Sequence, residues 1–103
     1  MILYSVTVTI EQEIEDSWLK WMREKHIKDV MNTGYFINYE IQKLILPETS
    51  TNKSTYIINY KLSSVEKYYE YQNKEAQSLQ KEHSEIFSGK FTASRAVYQL
   101  ISG

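Results

Sequence analysis

At the start of the chain an apolar residue recurs at every second position. Ile2, Tyr4, Val6, Val8 and Ile10 are separated by Leu3, Ser5, Thr7 and Thr9. This is the period-two pattern of a strand with one strongly apolar face, and it predicts a first strand over residues 2–10. From Ile14 the period lengthens. At 100° per residue Ile14, Trp18, Leu19, Met22 and Val30 share one broad stripe while Lys20, Glu24 and Lys28 face away, which predicts a helix of about five turns over 14–32. Asn32, Thr33 and Gly34 then tolerate the left-handed backbone that commonly ends a helix.

Two segments rich in Ile, Tyr and Leu follow, 35–46 and 55–62, separated by the polar stretch PETSTNKS, which holds the only proline. They predict two strands joined by a loose hairpin. Ser63 and Glu66 have capping-box spacing, and after them Val65, Tyr69, Gln72, Ala76, Leu79, His83 and Ile86 recur at three- and four-residue steps. A second helix over 64–85 is expected. Gly89 breaks the chain, and FTASRAVYQLI predicts a last strand over 91–101.

The predicted order is β-α-β-β-α-β, the split βαβ arrangement of a ferredoxin-like α+β fold. Four antiparallel strands would carry both helices on one face, in a single domain over residues 1–103. The opposite face would show Leu3, Ser5, Thr7 and Thr9 from the first strand, with apolar side chains from the second and third. Such a mixed surface suits a second sheet better than open water, so the pattern predicts a homodimer stacked through the sheet face.

Composition narrows the partners. A net charge of -1, from 12 basic and 13 acidic residues, sets up no broad field toward nucleic acid or anionic membrane. With no cysteine there is no disulfide framework, no thiolate zinc site and no cysteine nucleophile, as expected of a cytoplasmic protein. The opening MILYSVTVTI lacks the basic start and continuous apolar core of a signal peptide. No apolar run approaches the ~20 residues that cross a bilayer.

The chemistry-bearing residues concentrate in WLKWMREKHIKDVMNTG, residues 18–34. Trp18, Met22, His26 and Val30 form a single i, i+4 row, which predicts His26 near the middle of the inward stripe. His83 is expected to face inward in the same way, between Leu79 and Phe87. If the antiparallel helices were centred on each other, a rise of ~1.5 Å per residue would separate the two histidines by roughly 15–20 Å. That distance excludes a shared metal, so no metal and no cofactor are expected. Trp21 falls at the edge of the stripe, and Tyr68, Tyr69 and Tyr71 cannot all point inward. Arg95 shares the parity of Phe91, Ala93 and Val97, and a strand-centred arginine needs a carboxylate such as Glu40, water or an anionic ligand.

RNA-binding modules of this strand order carry a glycine, a basic residue and several aromatics on the third strand. Here that strand reads TYIINYKL, without the glycine, and the loop IEQEIED after the first strand offers no phosphate cradle. No nucleic-acid partner is expected.

The opening MILYSVTVTI, the block WLKWMREKHIKDVMNTGYF, the segment HSEIFSGKF and the strand SRAVYQL together resemble a family of short bacterial domains of unknown function, DUF4286, grouped with the dimeric α/β-barrel proteins. The resemblance implies a ferredoxin-like protomer and dimerisation, and attaches no activity. Dimeric α/β barrels include cofactor-independent monooxygenases, haem-degrading enzymes, stress-responsive proteins and ligand-sensing modules, among which fold does not choose. The leading expectation is a small cytoplasmic homodimeric module without catalysis that binds a small apolar or aromatic ligand, or serves interaction, with His26, Trp18, Met22 and Arg95 as ligand-binding residues. The alternative is a monooxygenase-like enzyme in which His26 accepts a proton and Trp18, Arg95 and a tyrosine position a small aromatic substrate.

Overall fold

Four strands and two helices alternate in the predicted order in a computed structural model that describes residues 1–48 and 51–103. Strand β1 spans Ile2–Glu11 and leads through a 3-10 turn, Gln12–Ile14, into helix α1. That helix runs as Glu15–Trp21, a π-helical turn Met22–His26, and Ile27–Asn32. Strands β2 (Asn38–Lys43) and β3 (Lys53–Leu62) follow. Helix α2 comprises Val65–Tyr71, a second π-helical turn Gln72–Ala76, and Gln77–Ile86, and strand β4 is Phe91–Gln99. Within the predicted loop PETSTNKS, Thr49 and Ser50 lie outside the described residues.

The sheet order is β2-β3-β1-β4, every pair antiparallel. Crossing from β1 over α1 to β2, and from β3 over α2 to β4, each connection skips one strand, the ferredoxin-like α+β topology. In the central pair Tyr4 faces Tyr60, Val6 faces Ile58 and Val8 faces Tyr56. These residues, with Ile10 and Leu62, form the floor on which Trp18, Met22, Ile27 and Val30 of α1 pack. The alternation of β1 therefore sorts as predicted.

Strand β2 is shorter than the apolar run 35–46 predicted. Phe36 turns out of the strand to fill the core, 4.8 Å from Tyr71 and 5.1 Å from Tyr60 between ring centres. At the other end Ile45 and Leu46 are exposed, beyond the last pairing with β3. The cap of α2 also moves by one residue: Ser64, not Ser63, is extended and accepts from the Lys67 backbone N–H. Gly34 ends α1 with φ of 85°, a conformation that a side chain would strain.

The two π-helical turns change which residues face the sheet. In an α-helix the core row continues in steps of three or four, but a π turn inserts one residue and delays the row by one position. The buried positions of α1 are Trp18, Met22, Ile27 and Val30, with a five-residue step across the turn. His26 is thereby displaced from the predicted centre of the stripe to its flank, where it is half-buried. In α2 the corresponding step runs from Tyr71 to Ala76. Before it Tyr68 and Tyr71 face inward while Val65, Tyr69 and Gln72, the predicted row, are exposed. After it His83 is buried as predicted, although Ile86 is exposed.

Candidate functional site

His26 and His83 meet, contrary to the 15–20 Å separation expected from centred helices. Their ring centres lie 5.9 Å apart, edge to face. The helices are antiparallel but offset along their axes: Trp21 touches Phe87, His26 touches His83, and Tyr71 reaches past the end of α1 to Tyr35 and Phe36. Packing of Tyr68 and Tyr71 over Tyr4 holds the first turns of α2 beyond α1, which slides His83 toward the middle of α1. Among the described residues no group of three or more His, Cys, Asp or Glu converges as a metal site.

The two imidazoles differ in their partners. Nε2 of His83 accepts from the Trp18 indole N–H at 2.9 Å. This leaves the His83 proton on Nδ1. The ring is enclosed by Trp21, Phe87 and Phe91, whose centres lie 5.7, 5.3 and 4.4 Å away. His26 lies against Trp21 at 5.2 Å, and its buried Nδ1 has no hydrogen-bond partner among the described residues. Burial lowers the pKa of both rings to about 4; for His26 Asp29 opposes the shift and Arg95 and Lys25 add to it, and for His83 His26 and Arg95 add to it. Both are neutral at pH 7.

Two small adjoining clefts open beside His26, between the helices and the sheet. Each has a volume of about 30 Å3, room for roughly two water molecules. Met22, His26, Val6, Gln80 and Arg95 line both; Tyr4, Tyr60 and Tyr71 wall one, and His83 and Ala93 the other. The register of β4 decides the orientation of Arg95. It pairs with Val6, between Ala93 opposite Val8 and Val97 opposite Tyr4, so it lies on the helix side.

Glu40, the carboxylate offered by the sequence, pairs with Asn59 and lies on the opposite face, at the far edge of the sheet. It cannot serve Arg95. The guanidinium instead lies with Gln80 against the Tyr4 hydroxyl; both favour its ionised form, but burial outweighs them and raises the Tyr4 pKa.

Of the four residues selected from sequence, Met22, His26 and Arg95 share the clefts. Trp18 does not line them; fully buried, it acts one layer deeper by fixing His83. Sequence reasoning missed Gln80, His83, Tyr4 and Tyr71 as cleft residues. The available signal was the five-residue step between apolar positions, Met22 to Ile27 and Tyr71 to Ala76, which marks a π turn. Such turns recur at functional sites.

Residues 1–101 match one family, described as Domain of unknown function (DUF4286). No curated protein matches the chain. Among solved structures, a MhuD variant with two manganese protoporphyrin IX molecules bound per active site is similar with a TM-score of 0.72 and 12% identity, covering 100% of this chain and 97% of that one. A dimeric ferredoxin-like protein from an uncultured marine organism has a TM-score of 0.68 and 14% identity, over 100% and 97% of the two chains. An antibiotic biosynthesis monooxygenase has a TM-score of 0.68 and 9% identity, over 99% and 100%. At these identities the similarity is one of fold.

Proposed function

Since the chain belongs to the DUF4286 family, we propose, in the absence of any activity attached to that family, that residues 1–103 are one ferredoxin-like module that binds a small aromatic or apolar ligand without catalysis. It works as a cytoplasmic homodimer. The observation that carries this reading is the buried Nδ1 of His26, left without a partner beside a cleft that Met22, Gln80 and Arg95 also line. Buried polar atoms are almost always satisfied, so an orphaned one at a cleft invites a ligand or water.

The enzyme reading needs His26 to accept a proton at neutral pH. A ring with a pKa of about 4 is a weak base there, whereas catalytic bases are tuned near the working pH. Binding therefore suits the site better than proton transfer. Dimerisation is supported by the open sheet face, where Thr7 sits between Ile57 and Ser94, a mixed apolar and small polar surface able to receive a second sheet.

Titration of labelled protein with a library of small aromatic fragments, followed at the Met22 and Ala93 methyl groups, tests the proposal. Saturable shifts confined to the cleft are expected. Shifts absent from the cleft, or confined to the open sheet face, contradict it.

A further inference from the structure

We infer that the ligand of this cleft is an anion, a small carboxylate whose acid group fills the space between His26 and Arg95. The inference rests on the cleft being a ligand site and adds the chemical class it selects.

Arg95, an exposed residue, brings a full positive charge to a cleft whose wall is otherwise Gln80, Val6, Met22, Val30, Ile58 and aromatic rings. Among the described residues no carboxylate lies within ion-pair distance of it. Of the acids on the neighbouring helices, Asp29 and Glu82 both bind Lys25 and Glu85 faces Lys81, while Asp29 also acts on His26 and Glu75 on Tyr71. Glu15, the least exposed of the paired carboxylates, is held by Lys43, Ser54 and Tyr56 at the far end of β3.

The other polar groups at the clefts are neutral: the Tyr4, Tyr60 and Tyr71 hydroxyls, the Gln80 amide, and the imidazoles of His26 and His83. A carboxylate can accept two parallel N–H bonds from a guanidinium, and charge-assisted bonds of this kind are roughly twice as strong as neutral ones. A neutral His26 placing its proton on Nδ1 supplies a further donor. The volume agrees with the chemistry. About 30 Å3 in each cleft admits an acid group but not a ring, so the rest of the ligand lies outside it, on the side of the half-buried Gln80 and the exposed Arg95.

Benzoate and its neutral near-isostere benzamide separate the possibilities. Each is titrated into the full chain at pH 7 and low salt, with the Met22 and Ala93 methyls and the Arg95 Nε–H as reporters. Benzoate is expected to bind at least tenfold more tightly than benzamide and to weaken as salt is added. Arg95→Gln should weaken benzoate at least tenfold and so remove that preference, and Arg95→Lys, which keeps the charge without the fork, should restore part of it.

Equal binding of the two probes, or a benzoate affinity indifferent to salt and to Arg95→Gln, overturns the anionic class while leaving the cleft as a ligand site. Binding of neither probe at the cleft overturns both readings. The salt and benzamide comparisons use the wild-type chain, so they hold even if Arg95→Gln folds poorly.

Discussion

The Trp18 indole N–H donates to Nε2 of His83 across the interface of α1 and α2, at 2.9 Å between two buried side chains. One bond fixes the His83 tautomer, locks α2 against α1 and leaves His26, the neighbouring imidazole, as the ring without a partner at Nδ1. Trp18→Phe keeps an aromatic ring but orphans Nε2 and leaves a void. The expected loss of stability is about 2–4 kcal/mol, measured by urea denaturation.

Acid should weaken the fold through both histidines. Their folded-state pKa of about 4 lies below the ordinary value of 6.5, so the unfolded chain binds more protons between those values. Stability from this source is complete above about pH 6.5 and is lost as pH falls toward 4. A shift of this size corresponds to on the order of 3 kcal/mol for a buried ring, and less for the half-buried His26. Urea midpoints across this range should decline, and His26→Gln should flatten the decline. An unchanged slope in that variant would show that His26 carries no share.

Filling the cleft should abolish binding while sparing the fold. Ala93 lies on the cleft wall opposite Val8, and Ala93→Leu places three more carbons in the space. Fragment binding should disappear in the methyl-shift assay, and Tm should stay within a few degrees of the wild type. Retained binding in Ala93→Leu would place the ligand elsewhere.

The open sheet face predicts assembly. Thr7 stands at its centre, flanked by Ile57 on β3 and Ser94 on β4, and Ser5 bonds Asn59 across the same surface. Light scattering at micromolar concentration should give twice the chain mass of 12.2 kDa for the wild type and a single chain mass for Thr7→Lys. A wild-type mass of one chain would remove the stacked-sheet account.

The sheet was legible because the side-chain period of a strand is two and β1 carries an apolar residue at every even position from Ile2 to Ile10. The helices were legible in extent, since Gly34 and the residues after Ser64 punctuate them. The site was only partly so. His26, Met22 and Arg95 could be selected by type and parity, but the approach of His26 to His83 depends on the offset between the helices, set by Tyr68 and Tyr71 lying over Tyr4. That contact joins distant elements and leaves no local period. The π turns misled the pattern more directly: a uniform 100° wheel puts His26 among the core residues, whereas the inserted residue gives that place to Ile27 and turns His26 toward α2.

The ligand-site claim is tested most directly at the Nδ1 nitrogen of His26 itself, through long-range proton–nitrogen correlation spectra of the imidazole during fragment titration. The account predicts that this resonance moves saturably, in step with the Met22 methyl, while the His83 nitrogens, held by Trp18, move little. An Nδ1 resonance that stays fixed through the titration, with the shifts arising elsewhere on the protein, would contradict it.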